Sequence, residues 1–408
     1  MDLSSVFLLL LVAAVVAILA DRVRVPYTVA LVLVGILLGS LRVLEPPHLT
    51  KELLFAVFLP GLVFEAAFHL PPEEFRQGRF TIFALAVPGV LLALALTALI
   101  MVPAARLLGL EDVFTWRHAV VFGALIAATD PIAVVSLFRT LGAPRRLATL
   151  VEGESLLNDG TAIVFFGLAL TVVAGAGMSA AGVALDFFRV VGIGAAAGFL
   201  VGFAVSRSLR LVDAPMIEMT LTTIAAYGSF LLSEKAHGSG VIATVVAGML
   251  CGSSSARSAM KPTTRVVVES FWEYIAFVLN SLVFLLIGFQ VRLADLAASW
   301  RLIAAAFLVV LLVRSAVVFL VTGLLGGTRE RIPGSWRVVL TWGGLRGALS
   351  MVLALSLAAD FPHRDQLIVT TFGVVLLSLL VQGLTMAPLL RLLGLAQRTP
   401  STENSSEL

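Results

Sequence analysis

Two short stretches hold most of the chemistry available to this chain. One reads Ala128-Thr129-Asp130-Pro131, the other Glu152-Gly153-Glu154-Ser155-Leu156-Leu157-Asn158-Asp159-Gly160. On a helix, positions four apart share a face. Ser155 and Asp159 therefore align, and Glu154 and Asn158 align on a neighbouring strip. Such a wall offers carboxylates, an amide and a hydroxyl, an oxygen-rich set suited to a hard cation that has shed part of its water. Hydrogen bonding between helices would account for Ser155 and Asn158 but explains Asp159 poorly. In the first stretch, Pro131 has no N–H, clashes with the carbonyl four residues back and pushes its predecessor out of the α region. Thr129 and Asp130 thus lie where a helix should break. The unwound backbone would free carbonyls to face an ion, and the positive end of the next half-helix would favour Asp130. The plainer alternative is a proline kink in which backbone N–H groups satisfy Asp130.

The elements that must position these residues are apolar to an unusual degree. Of 408 residues, 59% are hydrophobic and 13% charged, and the mean hydropathy is +1.04. Soluble chains carry about 25% charged residues, so a cytosolic globular enzyme and a disordered protein are both excluded. A nucleic-acid binder is excluded too, because the net charge is only +3 and is spread along the chain. The lone cysteine, Cys251, rules out a disulfide framework and any Cys-based metal site. The chain reads as an all-α polytopic membrane protein. With roughly 20 apolar residues needed per crossing, about thirteen transmembrane helices fit, at 4–20, 27–43, 52–69, 79–108, 117–138, 146–174, 182–206, 215–235, 239–253, 265–290, 299–325, 335–358 and 365–393. The spans 27–43 and 239–253 are short enough to be tilted or re-entrant. The first run lacks a basic start and a small-residue cleavage site, and reads as a retained helix.

Loop charge sets the orientation. Alternate loops holding Arg24, Arg139, Arg146, Lys261, Arg331 and Arg398 outweigh those holding Arg42, Lys51 and Arg292. The N-terminus is expected outside and the C-terminus in the cytoplasm, at the plasma (inner) membrane. Residues 1–395 form one membrane unit, with a short polar tail at 396–408.

A charge at mid-membrane costs about 2.5–3.5 kcal/mol, so the interior ionisable residues are functional candidates. They are Glu65, Asp130, Glu152 or Glu154, Asp159, Arg314 and Arg346. The expected pairs are Glu154 with Arg314 and Asp130 with Arg346, although two arginines could instead bind an anionic substrate. Pairing leaves a surplus acid. Glycines 343, 344 and 347 permit a second helix break. If 182–206 is a linker, the remaining spans form two inverted six-helix repeats. Each repeat then carries a broken helix in fifth place, the pattern of a transporter with its site near the midplane.

Together with Phe58-Leu59-Pro60-Gly61-Leu62-Val63-Phe64-Glu65 and Gly344-Leu345-Arg346-Gly347-Ala348, the two opening stretches resemble the monovalent cation:proton antiporter superfamily, in its sodium/proton exchanger branch. That resemblance implies crossed broken helices, a core at roughly 79–174 and 299–393, and interface helices at roughly 4–69 and 215–290 that form a homodimer. It further implies Asp159 as the ion- and proton-binding carboxylate, with Ser155, the Thr129 backbone and Glu65 completing a Na⁺ site. Asp130, Asn158, Glu154, Arg314 and Arg346 match residues used structurally. Pro60-Gly61 departs from a frequent Pro-Pro pair and touches helix shape only. Relatives with Asn-Asp at 158–159 resemble electroneutral exchangers. The lysines agree, since Lys51, Lys235 and Lys261 all fall in loops.

The expected function is secondary sodium/proton antiport, one for one, with the two ions competing for Asp159 under alternating access, and with no cofactor, no enzyme chemistry and no nucleic-acid partner. Exchange of K⁺ for protons, a cation channel and a sodium-coupled anion symporter stay open. An intramembrane aspartyl protease would need a Gly-x-Gly-Asp motif on a later helix, which is missing. His237 is expected at a solvated loop edge. Glu152, Glu269 and Glu273 are undecided between solvated acids and an entrance funnel. The Gly/Ala-rich stretch at 192–198 should permit close helix packing.

Overall fold

The computed structural model describes residues 3–23, 26–40, 53–110, 114–175, 179–257, 260–290 and 292–396. Arg24, Arg42, Lys51, Arg398 and the tail from residue 397 onward lie outside the described residues. All regular structure among the described residues is helical. In hydrocarbon every backbone N–H and C=O must be satisfied within the protein, which an apolar helix does by itself. The helices are α1 (Leu3–Val23), α2 (Tyr27–Ser40), α3 (Leu54–His69), α4 (Pro72–Leu107), α5 (Trp116–Leu125), α6 (Ile132–Leu141), α7 (Arg145–Val173), α8 (Ala180–Ser208), α9 (Pro215–Lys235), α10 (Gly240–Cys251), α11 (Ser254–Arg257), α12 (Pro262–Phe289), α13 (Leu293–Ala298), α14 (Trp300–Leu324), α15 (Gly334–Trp342), α16 (Ala348–Leu355) and α17 (Arg364–Leu392). Among the described residues, seven are long and apolar enough to cross a membrane: α4, α7, α8, α9, α12, α14 and α17.

Over its described residues each stretch expected to be a span is mainly helical, and two of them are pairs of half-helices. The stretch 117–138 divides into α5 and α6 around 126–131, and 335–358 divides into α15 and α16 around 343–347. The two doubtful spans are indeed short, with 14 residues in α2 and 12 in α10.

Packing sorts the helices into two groups. The first contains α4 against α5, α7 and α14, with α17 against α14 and α16. The second contains α2 against α12, α10 against α3, and α8 against α10. Small residues make the second group's crossings possible. A Cβ placed on Gly288 of α12 would lie 2.5 Å from the Val32 carbonyl of α2, and one on Gly202 of α8 would lie 2.7 Å from Ala247 Cα of α10. Gly198, within the stretch expected to pack closely, meets the Ala243 backbone in the same way.

Two π-bulges serve the interior. A bulge inserts one residue and leaves a carbonyl without its usual donor. In α4 the bulge at Leu85–Gly89 contains Pro88, and the Ala86 carbonyl accepts the Thr161 hydroxyl of α7 at 2.6 Å. In α17 the bulge at Ser378–Gly383 presents Ser378 to the Arg346 N–H at 3.1 Å and Gln382 to the Trp342 carbonyl at 3.1 Å. Backbone groups freed by the second break are thereby satisfied.

Candidate functional site

The two breaks meet. The Asp130 N–H donates to the Leu345 carbonyl at 2.8 Å, so each unwound segment supplies a backbone partner to the other. The Asp130 carboxylate accepts the Ile132 N–H at 3.0 Å. That side chain thus caps the N-terminus of α6 and lies against Gly347, the residue before α16. Across the crossing, Arg346 Nη1 donates to the Ala127 and Ala128 carbonyls at 3.0 and 3.3 Å, just past the C-terminal end of α5. The expected Asp130–Arg346 ion pair is therefore not made. Helix N-termini carry partial positive charge and C-termini partial negative charge, and the orphan groups at those ends need partners. Each charged side chain goes to the helix ends of opposite sign. A backbone N–H meets the Asp130 carboxylate, as in the proline-kink alternative, where Arg346 had been expected.

Gly347 makes the crossing tight, since an added Cβ there would collide with the Asp130 side chain. Gly347→Ala should consequently lower stability by about 1–3 kcal/mol through overpacking. Thermal unfolding of the purified protein in detergent would show it, and a wild-type midpoint would mean that the crossing yields to an added methyl group.

The α7 wall lies against the first break. The Ser155 hydroxyl donates to the Thr129 carbonyl, which leaves the Ser155 oxygen's lone pairs for another partner. Asn158 Nδ2 donates to the Ala127 carbonyl at 3.0 Å and the Thr129 hydroxyl at 3.3 Å. Asp159 lies one turn beyond Ser155. Its Oδ1 is buried and accepts a hydrogen bond from none of the described residues. Asp159, Ser155, Thr129, Asp130 and Glu65 all line one cavity of about 420 Å³. That cavity reaches Arg139, whose side chain is 68% exposed, so it connects Asp159 to the molecular surface.

The structure thus brings Asp159, Ser155, Thr129 and Glu65 to one space, while Asn158 braces the break behind them. Glu154 and Arg314 form the expected pair. Both guanidinium Nη atoms meet the carboxylate at 2.6 Å, and Nη2 also reaches the Leu340 carbonyl at 3.0 Å. Glu152, undecided from sequence, lines the cavity and meets Arg139 at 3.3 Å. Glu269 pairs with Arg265 at 3.4 Å. His237 sits exposed in a turn, with a φ of 58°.

Several polar cavity residues were not singled out from the sequence, among them His69, Arg139 and Asn280. His69 had a visible signal, because it follows Glu65 by four positions on α3, and its Nδ1 lies 3.2 Å from Glu65 Oε1. Asn280, on the remote α12, had none.

Chemically, this cavity offers one carboxylate oxygen with no donor among the described residues, one hydroxyl oxygen and the oxygens of an unwound backbone. A partly dehydrated monovalent cation fits that set, and so does a single proton on Asp159.

Comparison with known proteins adds four matches. The family model described as "Sodium/hydrogen exchanger, transmembrane" matches residues 8–392. The chain is 36% identical over 98% of its length to the Na⁺/H⁺ antiporter NhaG of Bacillus atrophaeus, of which it covers 77%. It is 37% identical over 96% of its length to the Na⁺/H⁺ antiporter NhaH of Halobacillus dabanensis, covering 98% of that protein. Among solved structures, the sodium proton antiporter MjNhaP1 of Methanocaldococcus jannaschii superposes with a TM-score of 0.78 at 20% identity, over 96% of this chain and 98% of that one.

Proposed function

Because the chain belongs to the transmembrane sodium/hydrogen exchanger family, we propose that it exchanges sodium ions for protons, one for one, at Asp159. Relatives that share over a third of its residues along nearly its whole length are Na⁺/H⁺ antiporters. The observation that carries the reading is Asp159 itself, a half-buried residue whose buried Oδ1 has no donor among the described residues and which lines a surface-connected cavity.

On this reading, a sodium ion entering past Arg139 sheds water against Asp159, Ser155, the Thr129 backbone and Glu65. A proton at Asp159 is the competing ligand. Either ligand neutralises the site, and a neutral site crosses apolar surroundings at far lower cost than a bare carboxylate. The empty charged site is held back, which couples the two fluxes. The two packing groups support a division into a core, roughly 79–174 with 299–393, and an interface unit, roughly 4–69 with 215–290. The helix at 182–206 joins them. Alternating access follows from motion of one against the other, and the interface unit pairs with a second copy to make a homodimer. The N-terminus lies outside and the C-terminus in the cytoplasm of a plasma membrane, where the exchanger serves pH homeostasis.

One-for-one stoichiometry follows from charge. Arg314 is committed to Glu154 and Arg346 to backbone carbonyls, so among the carboxylates that line the cavity Asp159 is the one left to change partners. Proteoliposomes under a pH gradient test this, with Na⁺, Li⁺ or K⁺ supplied in turn and the membrane voltage clamped. Dissipation by Na⁺ should proceed at nearly the same rate at every voltage. A rate that climbs with voltage would overturn the stoichiometry, and a response to K⁺ alone would reassign the cation.

A further inference from the structure

We propose that His69 is a positioning residue for Glu65 and sets the affinity of the cavity for its cation. This rests on the reading of Glu65 as part of the sodium site. The two residues stand one turn apart at the C-terminal end of α3, and both line the cavity. His69 Nδ1 lies 3.0 Å from the Glu65 carbonyl and 3.2 Å from Glu65 Oε1. Two acceptors around one ring nitrogen place its hydrogen there, in the neutral ring as in the charged one. The carbonyl fixes the ring to the helix, and the same N–H then holds the carboxylate.

The ring is fixed from a second side by Phe68, edge-on with centroids 5.4 Å apart. His69 Nε2 is buried and bonded to none of the described residues, so the ring's polar attachment is to Glu65. Glutamate has several rotatable bonds, and nearby cavity walls are apolar, including Leu62, Val63, Leu156 and Val283. Without His69, nothing polar on α3 itself would restrain the carboxylate. Of the other charged side chains that line the cavity, Glu152 and Arg139 pair with each other at 3.3 Å. A ligand held in its binding orientation loses less freedom on capturing an ion, so restraint appears as affinity.

The test uses the full chain in proteoliposomes, reading proton flux against Na⁺ concentration. His69→Phe should raise the KM for Na⁺ about five-fold, the scale of one lost hydrogen bond, and by more than it lowers Vmax. His69→Gln, which keeps an N–H in reach of Glu65, should restore most of the affinity. If His69→Phe does not reconstitute, His69→Met, apolar but pliable, takes its place. In a Glu65→Gln background, the His69 substitution should add nothing. A KM left at the wild-type value with only a lower thermal midpoint would reduce His69 to a helix cap and overturn the proposal. A rise that persists in the Glu65→Gln background would overturn it as well. A Glu65→Gln variant with wild-type KM would instead overturn the reading of Glu65, which separates the two failures.

Discussion

Asp159→Asn is expected to abolish sodium-driven proton flux in proteoliposomes while leaving a folded protein. Asparagine keeps the shape of the side chain and removes both of its relevant chemistries. An amide takes up no proton at working pH, and it offers a cation a dipole in place of a full charge. Loss of a charge-assisted contact worth about 3 kcal/mol corresponds to roughly a hundredfold in affinity, so the signal should fall to that of empty vesicles. Stability should move the other way or not at all. Oδ1 of Asp159 accepts no hydrogen bond from the described residues, so no protein contact there is broken, and removing a buried charge relieves its desolvation. A thermal midpoint at or above wild type with flux at background is the expected pair of results. Ser155→Ala, which removes one neutral oxygen and the hydroxyl's bond to the Thr129 carbonyl, should be milder and should act on Na⁺ affinity. Flux surviving in Asp159→Asn would transfer the carrier role to another cavity carboxylate, Glu65 or Asp130.

The contrast between Asp159 and Asp130 shows how far sequence alone reaches in such a chain. Spacing placed Ser155 and Asp159 on one face, and they do line one cavity. Pro131 marked the first break, and glycines 343, 344 and 347 marked the second. What spacing could not carry was the partner of each charge. Counting acids against arginines paired Asp130 with Arg346, because a charge count sees only side chains. Helix ends also carry charge. Once the two breaks cross, four half-helix ends lie together, and these are what Asp130 and Arg346 answer. Glu65 teaches the converse. Its place in the cavity was anticipated, but its partner His69 was overlooked, although an i, i+4 pair is legible in any helix. Asn280 was out of reach, since only the packing of α12 brings it to the cavity. The π-bulges of α4 and α17 were equally hidden, because an apolar run carries no mark of one inserted residue.

Breaking the Glu154–Arg314 pair is expected to cause the largest loss of stability from any single side chain. The pair is bidentate at 2.6 Å, with 2% of the Glu154 side chain and 9% of the Arg314 side chain exposed. A buried pair adds little net stability over an apolar replacement, but removing one partner strands the other charge, at a cost of about 3–5 kcal/mol. Arg314→Leu and Glu154→Gln should each show this in thermal unfolding. The double variant Glu154→Leu with Arg314→Met should recover most of it, since no stranded charge is left. Transport should part company with stability in that double variant. Arg314 also bonds the Leu340 carbonyl of α15, and its guanidinium lies so close to the second break that a Cβ on Gly344 would come within 2.7 Å of Nε. The arginine therefore ties α14 to α15 beside the crossing as well as neutralising Glu154. A double variant that regains its melting temperature and stays slow in proton flux would separate the two roles. One that regains both would show that charge neutralisation is all Arg314 supplies. Single variants that melt like wild type would mean that water reaches the pair, and that the interior between α7 and α14 is wetter than its packing indicates.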